Sequence, residues 1–204
     1  MRLIVGLLAL MFSPAAAMAT EEPAYESVHR DGAIEVRDYA GMIVAEVTVE
    51  GGREAAPNRG FRPLANYIFG GNAPREEIAM TAPVTARPGQ DIAMTAPVTS
   101  SPAAGDQWTV AFIMPSEWTM ETLPEPNDPR VSLREVEPRR MVAIEFRGGR
   151  SDNNLSRHLQ ELESWLAANG YEATGDPVYA FYSPPWVPSP LRRNEIMIEI
   201  APRN

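Results

Sequence analysis

Ile34-Glu-Val-Arg-Asp-Tyr39, followed by Ile43-Val-Ala-Glu-Val-Thr-Val49 and the pair Gly51-Gly52, is the stretch that decides how this chain folds. Ile34 and Val36, then Ile43, Ala45, Val47 and Val49, alternate with polar residues at the period of two that a half-buried strand requires. The pattern returns further along. Val131, Leu133 and Val136 repeat the spacing of Ile34, Val36 and Tyr39, Met141-Val-Ala-Ile-Glu-Phe146 follows, and Gly148-Gly149 closes the set, displaced by 97 residues. Self-similarity at a fixed offset marks two related halves.

A helical pattern follows each glycine pair. In the second half Ser151 or Asp152 can cap it, Leu155, Leu159, Leu162 and Leu166 form one stripe, and Asn169-Gly170 offers a left-handed stop. In the first half the stripe is Phe61, Leu64, Ala65 and Ile68, with Gly70-Gly71 at its end. Pro63 lacks an N–H, so it must lie in the first turn of that helix or kink it. Pro-rich connectors run from Ser100 to Gly105, from Leu123 to Pro129 and from Ser183 to Pro190, and Ile196, Ile198 and Ile200 mark a closing strand. Each half therefore reads β-β-α-β-β, and together they make one α+β domain over residues 20–204, with pseudo-repeats at about 25–115 and 130–202. Its helices lie on one side of an antiparallel sheet curled into an open barrel. Ile78-Ala-Met-Thr-Ala-Pro-Val-Thr85 recurs identically at Ile92 to Thr99 and reads as a duplicated hairpin strand. Pro83 and Pro97 cannot donate to a ladder, which places both copies at an edge or a bulge.

The first nineteen residues read differently. Arg2, an apolar run from Leu3 to Phe12, the break at Ser13-Pro14 and Ala17-Met18-Ala19 have the layout of a secretory signal peptide cleaved after Ala19. The run is too short to span a bilayer, so no integral membrane segment is expected after cleavage. A periplasmic or otherwise exported domain would then rely on its core alone, because the chain has no Cys. The same absence rules out thiolate metal sites and thiol nucleophiles. A formal charge of −9 argues against nucleic acid as a partner.

No Gly-x-Ser-x-Gly, phosphate loop or His-Glu-x-x-His occurs. Glu76-Glu77 and the acidic run from Glu121 to Asp128 sit in turn-like, solvated sequence. Of the two histidines, His29 belongs with Arg30 and Asp31 at the surface, whereas His158 falls at the margin of the leucine stripe, beside Trp165. One His cannot build a tight zinc site.

Ile34-Glu-Val-Arg-Asp-Tyr39, Gly60-Phe61 with Tyr67-Ile68, Ile78-Ala-Met-Thr-Ala-Pro-Val84, and Tyr182-x-Pro-Pro185 followed by Arg193-Asn-Glu195 resemble the SOUL haem-binding family over nearly all of the chain after Ala19. The resemblance implies a distorted, mostly antiparallel eight-stranded barrel of two βαββ-type repeats flanked by two helices. It also implies non-covalent binding of haem or a related tetrapyrrole, without catalysis, in a shallow apolar groove beside the first helix and the last Pro-rich loop. Asp38 stands where some members carry a proposed His ligand, Val187 where others have a loop Lys, and Arg59 approximates their basic residue near the first helix.

On that resemblance Phe61, Leu64, Ile68 and Trp186 supply apolar contact, and Arg59, Arg62, Arg192 and Arg193 are the candidate partners of the propionates. His158 is the candidate iron ligand. Two rival readings are a binding module for another amphipathic small molecule and an enzyme using groove carboxylates. The leader carries its own test. Protein recovered from the periplasm should lack Met1 to Ala19 by intact-mass spectrometry, and a mass that retains them refutes the cleavage.

Overall fold

A computed structural model describes residues 20–74 and 89–201. In chain order the elements are β1 (Tyr25–Asp31), β2 (Ile34–Tyr39), β3 (Met42–Glu50), α1 (Ala56–Ile68), β4 (Asn72–Ala73), β5 (Val98–Pro102) and β6 (Gln107–Ile113). They continue as β7 (Glu125–Pro126), β8 (Ser132–Val136), β9 (Arg139–Arg147), α2 (Asp152–Asn169), β10 (Val178–Phe181) and β11 (Arg193–Glu199). The fold is α+β, with nine strands in one antiparallel sheet ordered β1-β2-β9-β11-β10-β5-β6-β3-β8. The ninth is β1, an edge hairpin on β2 that the repeat does not contain. The leader, the first copy of the Met-Thr-Ala-Pro repeat and Glu76-Glu77 lie outside the described residues.

The strand order is the same when read from either side of the central β10–β5 pair, once the halves are interchanged. The two opening strands have crossed over: β2 pairs with β9 of the second half, and β8 with β3 of the first. Arginine–carboxylate forks tie both exchanged strands in place. Arg140 donates twice to Asp38, at 2.6 and 2.6 Å, and Arg134 twice to Glu46, at 3.0 and 2.8 Å.

Alternation then divides the sheet into two faces. Ile34, Val36, Val142, Ile144, Phe146, Ile196 and Ile198 meet Leu155, Leu162 and Leu166 of α2. Ala45, Val47, Val110 and Phe112 meet Ala56, Leu64, Tyr67 and Ile68 of α1. Ser151 caps α2 by accepting from the Asn154 N–H, and Gly170 ends it at φ 68°. The first helix departs from expectation. Pro63 is its eighth residue and is buried, and the packed face is Ala56, Gly60, Pro63, Leu64 and Tyr67. Gly60 allows this close approach, because a Cβ there would stand 2.4 Å from that of Val110. The second Met-Thr-Ala-Pro copy is not a hairpin strand at an edge. It is a lead-in to β5, at the centre of the sheet, with Pro97 one residue before the first ladder partner, Val98. The ladder's donors are thereby left intact.

The other face is buried without a helix. Tyr39, Met141, Ala143, Ala180 and Met197 form one cluster there, and Val44, Ala111, Ile113 and Val136 another, with Met42 packed against both. This face is the inside of the curl. Arg37 lies within it, 4% exposed, with Nε 2.8 Å from Glu35 and Nη1 2.8 Å from Glu195. Tyr182 donates to Glu195 at 2.7 Å, and Arg193 sits 3.0 Å from the same carboxylate. Burial pushes the Glu35 carboxyl up, but the Ser27 hydroxyl, then Arg37 and Arg30, outweigh it and hold it below its ordinary value.

Glu35 therefore stabilises the fold above its ordinary range, near 4.5, and that contribution is lost as pH falls through the lower folded value. Arg37→Met should weaken this dependence. It leaves Glu35 with Ser27 and Arg30 and Glu195 with Tyr182 and Arg193, and should cost about 3 kcal/mol at pH 7. Urea unfolding at pH 7 and pH 5 should show the deficit narrowing in acid as those carboxyls take up protons.

Candidate functional site

Across β9, β11, β10, β5 and β6 the helix-side residues Phe146, Asn194, Phe181, Val98 and Phe112 stand in register. At about 4.8 Å between strands, this row runs roughly 19 Å between the two helices. Each ring in it is met by a side chain from above. His158 of α2 stacks on Phe146 at 4.0 Å, Arg150 lies over Phe181 at 5.0 Å, and Phe61 of α1 meets Phe112 edge-on at 5.4 Å. The Ser183–Leu191 loop flanks the row: Ser189 packs close to Gly149, and Arg150 reaches Asn58 in the first turn of α1 at 3.5 Å. Trp186 and Leu191 on this loop are 81% and 59% exposed, and Phe61 is 38% exposed.

Arginines surround this apolar patch without acids to neutralise them. Among the described residues Arg59, Arg62, Arg147, Arg150 and Arg192 have no carboxylate within ion-pair distance. Arg150 is partly buried, and its pKa is pushed below the usual guanidinium value by that burial first and by the Arg192 charge second. A protein with 27 acidic residues against 18 basic ones has carboxylates to spare, so two arginines set together without one form an anion-receptive site.

The residues expected from sequence separate on this geometry. Phe61 and Trp186 are exposed at the patch, and Arg62 is exposed on α1. Arg59 donates to the Glu50 carbonyl. Leu64 and Ile68 do not line a groove: at 0% and 1% exposure they are core beneath α1. Arg193 points to the other face, where it meets Glu22, Glu145 and Glu195 and covers the Tyr182 ring at 3.8 Å. Arg192 spends its N–H groups on the Val187 and Pro185 carbonyls, at 2.8 Å each, and so shapes the loop while its charge stays uncompensated. His158 Nδ1 lies 2.8 Å from the Asn154 carbonyl, so that nitrogen donates, and in a neutral ring Nε2 is the nitrogen with the lone pair. Trp165 is not its partner, because that indole stacks on Tyr171 and donates to Asp31. Arg150 and Phe146 were missed. One follows a glycine pair and the other sits in an ordinary strand alternation, and neither pattern signals a ligand.

Among the described residues no three metal-ligating side chains are grouped to hold an ion, and no helix is long and apolar enough to cross a membrane. If Arg150 is held for a ligand rather than for the fold, its loss should not weaken the free protein. Arg150→Met should keep or raise the thermal midpoint, by up to about 1 kcal/mol of stability. A fall of 2 kcal/mol in calorimetry would make it a structural residue.

A search among curated proteins returns no match. Among solved structures the chain is similar to the C-terminal domain of EcmrR, with a TM-score of 0.60 at 12% identity, covering 87% of this chain and 98% of that one. It is also similar to a hydrolase from Listeria innocua, with a TM-score of 0.54 at 14% identity, covering 82% and 91%. At such identities these likenesses establish the fold alone. The family described as SOUL heme-binding protein matches residues 20–199, and the chain belongs to that family.

Proposed function

We propose that this protein binds haem or a related tetrapyrrole, non-covalently and without turning it over, as a carrier or buffer in an exported compartment. The observation that carries the reading is the uncompensated Arg150–Arg192 pair, with Arg150 over Phe181 and Arg192 in the flanking loop. A flat apolar ring system with carboxylates at one edge matches this pair and the apolar residues beside it. Its face would lie against the exposed Phe61, Trp186 and Leu191, above the buried row, and its carboxylates would reach the arginines. Haem would supply an iron able to take a nitrogen ligand. His158 Nε2 is the histidine nitrogen on this face with a lone pair to offer, although its ring is already flat on Phe146. Guanidinium forks and apolar contact are the larger contributions.

Burial of roughly 250 Å² at about 25 cal/mol per Å² gives about 6 kcal/mol before association costs. Micromolar affinity requires about 8 kcal/mol, and the guanidinium–carboxylate pairs make up the difference. Haem titration should therefore show a Soret shift with a Kd of about 1 μM or weaker. Arg150→Met should weaken it about tenfold, as loss of one charge-assisted pair predicts, and His158→Ala should leave the Soret position unmoved. Nanomolar binding that Arg150→Met leaves intact would overturn the reading, and a silent Soret band would direct the search to another amphipathic anion.

A further inference from the structure

A second hollow opens at the end of the sheet where β2 turns into β3 and β8 into β9. It is a cleft of about 520 Å³ at one end of the curl, within the size range of small-molecule sites. Two turns frame it, Ala40-Gly41 between β2 and β3 and Glu137-Pro138 between β8 and β9. They are equivalent positions 97 residues apart, so the cleft straddles the axis relating the two halves. Its floor continues inward past Pro23, Met42 and Ile113 to a smaller hollow against Tyr39, Met141 and Met197.

We propose that this cleft binds lipophilic cations, small molecules that carry one delocalised or quaternary positive charge among apolar groups. Its walls are apolar, from Met42, Ile43, Ile113, Met114 and Trp118. Every charged residue in its lining is acidic: Glu21, Glu22, Glu135 and Glu137. Arg193 neutralises Glu22, whereas Glu21, Glu135 and Glu137 have no cationic partner among the described residues. A low-dielectric hollow with carboxylates of one sign at its rim focuses a negative potential inward. Trp118 lines the cleft, and indole is the aromatic side chain that attracts a desolvated cation most strongly. Methionine thioethers adapt to ligands of varied outline, so the site selects by charge and size rather than by outline. The arginine-rimmed helix face has the opposite sign, so one ligand does not suit both sites.

Tetraphenylphosphonium and tetraphenylborate form the test, since they share a shape and differ in charge. Titrated separately into the full chain by calorimetry and tryptophan fluorescence, the cation should bind and Trp118→Leu should weaken it. The E135Q/E137Q double variant should lower cation affinity about fivefold or more, as loss of two partly screened charges implies. Both glutamates are exposed turn or strand-end residues, so this variant should keep the wild-type circular dichroism and melting temperature. Tetraphenylborate affinity should not fall in the double variant. Three outcomes overturn the proposal: no cation binding up to 1 mM, cation affinity unchanged by E135Q/E137Q, or equal sensitivity of both ions to Trp118→Leu. None of these bears on haem binding, which Arg150→Met reports.

Discussion

The guanidinium of Arg37, held between Glu35 and Glu195 inside the curl, is the constraint on which the rest of the architecture depends. Glu35 shares its strand, but Glu195 belongs to β11, and between β2 and β11 lies β9. A charge buried to this depth is tolerable only if every partner is in place. Sliding β2 by one residue against β9 would turn Arg37 and Glu35 out of the interior together and leave Glu195 there without the Arg37 guanidinium. Apolar alternation would resist such a slip; the ionic cluster makes it prohibitive. The crossed-over pairing of the two halves is thus specified by side chains that contribute little to stability as such.

That arrangement gives the sheet two faces of different chemistry. The outward face is dry under α1 and α2, and between them its Phe146, Phe181 and Phe112 rings are covered by His158, Arg150 and Phe61. The inward face is lined with methionine and tyrosine, and its rim is acidic. A net charge of −9 conceals this separation, because most of the remaining arginines among the described residues are consumed in ion pairs with neighbouring elements.

Much of the fold was legible in the sequence because strand and helix periods report which residues face inward. The 97-residue offset carried β2 onto β8 and β3 onto β9, and Leu155, Leu162 and Leu166 gave the buried side of α2. Periodicity reports facing and says nothing of partners, so the exchange of β2 and β8 could not be read. The phase of α1 was misjudged because Phe61 invited a stripe centred on itself. The packed side is built from Ala56, Gly60 and Pro63, residues whose smallness or rigidity, not hydrophobicity, brings the helix down on Val110. The site was less legible than the fold. Leu64 and Ile68 were apolar for the sake of the core, and Arg193 was basic for the sake of Glu195. Arg150 matters through what it lacks, and the missing partner is a fact of three dimensions.

The exchange of opening strands also bears on how the molecule comes apart. Each half lends its first strand to the other, so neither half holds a complete set of ladder partners of its own. Residues distant in sequence must meet before either half is satisfied, a topology of high contact order that delays folding until most of the chain has been made. Once formed, the two halves open together or not at all.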